Sequence, residues 1–211
     1  MILKLSEQKN KLSEEKNAFM ARRSQLTLQI VGAAIFGALS LVVSVTIVPF
    51  LPRTPQGFAY FDPISIIWVM CFLIFGPYAG ILCCMIGMIT LLPFDPFTPI
   101  GPLMKFAATF SLIIVPITLL KLYKKEEGVK QSEKLKKRKN YIIYGAMGTA
   151  FRIGVMIILN IIVYLTFYGV AGLEFWIILV ILLNALTSLW DLLIPYLIVF
   201  GAKLDEKFEI W

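Results

Sequence analysis

Apolar residues in this chain lie in long unbroken blocks, and most charged residues are confined to the gaps between them. The blocks run from about Leu26 to Val48, Pro63 to Phe75, Tyr78 to Leu92, Pro102 to Leu120, Tyr141 to Phe167 and Glu174 to Ala202. A block of about 20 apolar residues matches the hydrocarbon thickness of a bilayer. Of the 211 residues, 59% are hydrophobic and 16% charged, where a soluble domain carries roughly a quarter charged residues. That leaves too little polar surface to keep the chain dissolved. The expected fold class is an all-α membrane protein, a bundle of six transmembrane helices with cytoplasmic N and C termini. The expected organisation is a polar, helix-compatible lead over 1–25, a membrane domain over 26–203 and a short tail over 204–211. The second block is short for a span. It is tilted, starts within the preceding loop, or lies in a covered position.

Orientation comes from the basic residues. Lys4, Lys9, Lys11, Lys16, Arg22 and Arg23 precede the first block. Nine more lie between Lys121 and Lys139, and Lys203 and Lys207 follow the sixth. The other side offers only Arg53. Six spans gather all three basic segments on one face, which the positive-inside rule puts in the cytoplasm. The net charge of +7 therefore calls for no nucleic acid, and the basic loop 121–140 also suits anionic lipid or an acidic partner. The expected location is the plasma membrane, crossed several times. The polar start has no apolar signal-peptide core. It carries a near-duplicate heptad, KLSEQKN then KLSEEKN, with one apolar position per repeat. A coiled coil needs two, so the lead is read as a solvated or membrane-surface helix running into the first span.

Two outer loops share the frame P-F-x-P-x-T-P-x-G, at Pro49–Gly57 and Pro93–Gly101, and Thr46 and Thr90 stand three residues before each copy. Proline lowers the entropy cost of holding a loop in one shape. Two stiff aromatic loops at one mouth suit either a ligand site covered from outside or a remote duplication of a helix–loop unit.

Lys105, Arg152 and Asp191 are charged residues inside apolar blocks. Each costs about 3 kcal/mol at a helix centre and is expected to face the bundle interior. Arg152 and Asp191 each lie about 12 residues, or roughly 18 Å, from the cytoplasmic end of their helices. Adjacent antiparallel helices bring them level, so a buried Arg152–Asp191 ion pair is expected. The same arithmetic puts Asn160 and Asn184 level with each other, nearer the outside. Asn184, Thr187, Ser188, Asp191 and Pro195 share one helical face, and Arg152, Met156, Asn160 and Tyr164 form a stripe on the fifth span. The pattern fits either an outward-opening polar pocket between spans four, five and six or interhelical bonding without a ligand. Lys105, Asn160, Tyr164, Asn184 and Ser188 are the candidate substrate contacts, with Lys105 and Arg152 against Asp191 leaving the pocket slightly positive. Phe58, Tyr60, Trp68 and Trp190 are candidate stacking partners for an aromatic ligand. On the first span, Ala33, Gly37, Ser40 and Ser44 form a small-residue stripe beside an Ala34–Ala38 pair, which permits close helix approach.

No P-loop, GxSxG or HExxH pattern occurs, so no catalytic residue, metal ligand or cofactor is expected. Cys71, Cys83 and Cys84 read as small apolar packing residues. The chain resembles the S component of energy-coupling-factor (ECF) transporters, close to the riboflavin and pantothenate type branch. The resemblance rests on Ala34-x-x-x-Ala38, Phe61-Asp62-Pro63-Ile64, the Phe75-Gly76-Pro77-Tyr78-Ala79-Gly80 turn and Gly101-Pro102-Leu103-Met104-Lys105-Phe106. It covers about Leu26 to Lys203. It implies six helices, an outward pocket for a water-soluble vitamin or related micronutrient, and partners comprising a transmembrane scaffold subunit and two ATP-binding subunits. It also implies that Ala34 and Ala38 pack on the scaffold. The segment Leu189–Pro195 departs from the Asn–Lys pair associated with the riboflavin type. The alternatives are a membrane scaffold or assembly subunit with no small-molecule ligand and a solitary ion-coupled carrier.

Overall fold

The computed structural model describes residues 2–55, 57–122 and 131–208, with side chains described from residue 19 onward except at 131. The heptad duplication, the middle of the basic loop and the last three residues lie outside what is described in side-chain detail. The chain is all-helical, 84% helix, with no strand among the described residues. Helix is the expected answer for apolar segments, because it satisfies each backbone group within its own segment. The helices are α1 (Ile2–Thr46), α2 (Pro63–Phe75), α3 (Pro77–Leu91), α4 (Ile100–Leu122), α5 (Gln131–Lys136), α6 (Arg138–Phe167), α7 (Leu173–Tyr196) and α8 (Leu204–Phe208). Among the described residues, four segments are long and apolar enough to cross a membrane: Phe19–Phe50, Ile100–Leu122, Arg138–Phe167 and Leu173–Gly201. Two apolar helices, α2 and α3, are shorter, at 13 and 15 residues.

Helix α2 lies at the centre. It touches α1, α3, α4, α7 and α8, and eleven of its thirteen residues are buried. Of the three readings of this short block, the covered position is the one observed. The remaining helices surround it in the order α1, α3, α4, α6, α7, each packed on the next. Asp62 starts α2 by accepting the Ile64 amide at 3.1 Å, as an N-cap should. Gly76 ends it with φ +97°, a conformation open to glycine and strained for other residues. Pro77 then opens α3 at the position where a missing amide is harmless.

Two prolines shape the long helices. Pro116 sits inside α4, where it removes the amide that would bond the Leu112 carbonyl. Gly148 of α6 lies against that same carbonyl; a Cβ there would come within 2.5 Å of the oxygen. Glycine is thus what lets α6 close on α4. Pro195 sits near the end of α7, and a π-turn over Leu197–Gly201 follows it.

At the end of the bundle that carries the basic segments, α5 and α8 form a clasp. Lys136 Nζ lies 2.6 Å from Glu206 Oε1 and 3.2 Å from Asp205 Oδ2. Its carbonyl accepts the Tyr196 hydroxyl at 3.0 Å. The hydrogen bonds from Lys136, first to Glu206 and then to Asp205, raise the lysine pKa above its ordinary value. The same contact with Lys136 lowers that of Glu206. Phe208 packs on Phe75 at 5.4 Å between ring centroids, which ties α8 to the foot of α2. Around the sides, large apolar residues such as Ile35, Val42, Ile158, Ile162, Phe175 and Leu182 are exposed. That is the surface a lipid-facing bundle presents.

Candidate functional site

The buried charged residues of the bundle fall into two groups. The first joins α6 to α7. Arg152 Nη1 lies 2.5 Å from Asp191 Oδ2, and the side chains are 5% and 0% exposed. Its Nε donates to Asn184 Oδ1 at 3.2 Å and its Nη2 to Thr187 Oγ1 at 3.1 Å. The three acceptors stand at i, i+3 and i+7 on α7, so one guanidinium reads two turns of a single face. This reach is why Asn184 belongs with Arg152. Asn160 does not join it: its amide donates to the Met156 carbonyl of its own helix at 2.8 Å. Ser188 Oγ and Asp191 Oδ1 are buried with no hydrogen-bond partner among the described residues.

The second group joins α2 to α4, and most of it was not anticipated. Lys105 Nζ lies 3.0 Å from Asp62 Oδ2, with side chains 20% and 12% exposed. Ser65 also donates to Asp62 Oδ2, at 3.2 Å, and Thr109 donates to Ser65 at 2.9 Å. A short relay, Thr109 to Ser65 to Asp62, therefore lies beside the lysine. Phe61 and Trp190, the residues next to Asp62 and Asp191, meet at 6.4 Å between ring centroids, so the two pairs are neighbours. The two groups thus form one cluster of two cations and two anions. The expected slight positive charge is corrected: Asp62, placed by sequence in a loop, supplies the fourth charge. A usable signal was present, since Asp followed directly by Pro at the start of an apolar block marks a helix N-cap.

Above the cluster, the two copies of the proline frame take different shapes. In the first, Val48–Phe50 forms one 3₁₀ turn, and Arg53 pairs with Ala59 in an isolated antiparallel bridge. Thr54 is buried and accepts the Phe58 amide at 3.0 Å. In the second, Asp95 accepts the Phe97 amide at 2.8 Å, and the frame runs directly into α4. Gly57 has φ +87°, whereas its counterpart Gly101 is helical. Only Thr46 and Thr90 keep one role, each donating back to a carbonyl of its own helix. The ring of Phe97 lies against Gly57, so the two loops touch.

Aromatic residues line the same end. Phe58 packs on Trp176 at 4.9 Å, and Tyr164 packs on Trp176 at 4.9 Å and on Tyr168 at 5.3 Å. The Tyr164 hydroxyl donates to the Ala171 carbonyl. Phe61 meets Trp190 edge-on at 6.4 Å. Tyr60 is exposed on loop one. Trp68 is fully buried in α2, its ring seated against Gly87 of α3, so it packs two helices together. On α1, Ala33, Gly37 and Ser40 are buried on the inner side while Ala34 and Ala38 are exposed. The three cysteines are free and buried.

The arrangement can do two things chemically. The Arg152 group holds two helices in register. The Lys105–Asp62 pair, nearer to solvent, offers an ammonium and a carboxylate side by side. A separate cavity of about 10 Å³, room for one water, lies among apolar residues including Leu112, Pro116, Tyr141 and Leu192. Among the described residues, no group of three or more His, Cys, Asp or Glu is placed to hold a metal ion. No family model matches the chain, and no curated protein or solved structure matches it either.

Proposed function

We propose that this chain is the substrate-binding S component of an ECF-type transporter. In this reading it binds a water-soluble vitamin or related micronutrient from outside the plasma membrane. It crosses the bilayer six times with both termini in the cytoplasm, α2 and α3 being the two short spans. The observation that carries the reading is the inward-facing charge cluster of Lys105, Asp62, Arg152 and Asp191, set below two proline-stiffened aromatic loops. Intramembrane ionisable residues are expensive and mark functional sites by default. The sequence resemblance adds the partners, a transmembrane scaffold and two ATP-binding subunits. It also assigns Ala34 and Ala38, both exposed on α1, to the scaffold contact.

A second reading has its own support. Lys105, Asn160 and Asn184 each have a hydrogen-bond partner within the protein, which suits a scaffold or assembly subunit that binds no small molecule. Co-purification from membranes separates the two, followed by calorimetry with a vitamin panel. Recovery of an ATPase pair with a micromolar or tighter binder supports the S-component reading. Recovery of other membrane partners with no binder supports the scaffold. Uptake into liposomes by the chain alone supports instead a solitary ion-coupled carrier.

A further inference from the structure

We propose, resting on the binding-subunit reading, that the transported solute carries no net charge, being an uncharged polar molecule or a zwitterion, and that Lys105 and Asp62 are the charged groups it meets. Four observations lead there. The cluster contains two cations and two anions and sums to zero. The Arg152–Asp191 pair is closed: both side chains are nearly inaccessible, and the guanidinium is already held by Asn184 and Thr187 as well. The Lys105–Asp62 pair is the accessible one, at 20% and 12% exposed, and Lys105 makes a single side-chain hydrogen bond among the described residues. Ser188 Oγ and Asp191 Oδ1 add a buried hydroxyl and a buried acceptor without partners among the described residues.

The selection rule follows from charge balance in a poorly screened interior. An anionic solute that takes Lys105 leaves Asp62 without its counter-ion and the cluster at −1. A cation that takes Asp62 leaves Lys105 alone and the cluster at +1. Leaving one buried charge uncompensated is the most damaging way to alter an ion pair. A dipolar or zwitterionic solute engages the ammonium with its acceptor and the carboxylate with its donor, and the sum stays at zero. Asp62 cannot easily move aside to relieve an anion, because its other contacts cap α2 and hold Ser65.

The test uses the full chain in nanodiscs and calorimetry with solutes matched in shape and differing in charge. The pairs are riboflavin against riboflavin 5′-phosphate, nicotinamide against nicotinate, pantothenol against pantothenate and biotinamide against biotin, with thiamine as a cation. The expected result is one pair whose neutral member binds at least a hundredfold tighter than its anionic member. Asp62→Asn keeps the helix cap and makes the cluster +1, so the preference should shrink at least tenfold toward the anion. Lys105→Gln should shift it away from the anion. An anionic member that binds wild type as tightly as its neutral partner overturns the charge rule and leaves the binding-subunit reading standing. If every probe is silent, the small molecule released on heat denaturation of protein purified from membranes decides: a neutral or zwitterionic one supports the rule, a net-charged one overturns it, and none at all overturns the binding-subunit reading and takes the rule with it. If neither variant elutes as a folded species, the wild-type comparison decides alone.

Discussion

Two ion pairs between the helices of the bundle, Arg152–Asp191 and Lys105–Asp62, have similar partners and opposite surroundings. Arg152–Asp191 is dry, and three acceptors on one face of α7 hold the guanidinium. Lys105–Asp62 is partly open, and its carboxylate belongs to a helix cap at the rim of the bundle. A planar, forked guanidinium suits a fixed multidentate role, whereas an ammonium on a flexible stem exchanges partners readily. The difference teaches that buried charge serves two ends here: one pair fixes α6 against α7, and the other remains reachable.

The sharpest way to break this contrast is Arg152→Ala. It strands Asp191 in the interior, and a loss of about 3–5 kcal/mol is expected, read by denaturant titration in detergent. A loss within 1 kcal/mol on the scale of an exposed pair would remove the distinction between the two sites. Next in size, the double replacement Arg152→Met with Asp191→Leu should recover most of that loss, because apolar substitutes for a buried pair are often neutral or stabilising. Lys105→Met should cost less, about 1–2 kcal/mol, since Asp62 keeps its bonds to Ile64 and Ser65. The smallest effect is expected at the α5–α8 clasp, where Lys136 and Glu206 are both exposed. Glu206 has a lowered pKa in the folded state, so its contribution is present above the unfolded carboxylate value and lost as pH falls through the folded one. Lys136 has a raised pKa, so its share is present below the unfolded lysine value and lost as pH rises through the folded one. Protection of the α8 amides, taken relative to their intrinsic exchange rate at each pH, should therefore fall at both extremes and stay level between them.

Much of the architecture was legible in the sequence because helix geometry is repetitive. Constant rise and 3.6 residues per turn place Arg152 and Asp191 at a common depth and align Asn184, Thr187 and Asp191 on one face. The Gly76–Pro77 break was readable for the same reason, since its chemistry is local. What escaped was set by tertiary contact. Asp62 is readable as a helix cap, but its pairing with Lys105 depends on how α4 packs against α2. Nothing in the spacing of Gly148 or Pro116 says that one fits the carbonyl freed by the other. Asn160 looks like a partner for Asn184 by depth alone, yet its amide finds a nearer acceptor on its own helix. The repeated proline frame shows the same limit: identical punctuation leads to a bridge in one copy and to a helix start in the other.

The central position of α2 has a consequence for how the protein is made. A ribosome delivers α2 early, before α4, α6 and α7, yet α7 is one of its walls. Thirteen residues span about 20 Å, less than the hydrocarbon thickness of a bilayer. The segment waits with the Asp62 cap and Ser65 hydroxyl short of their final company. Assembly is completed when the last long helix closes over the second. A nascent chain halted before Leu173 should hold an unfinished core, open to proteases and quality control until synthesis resumes.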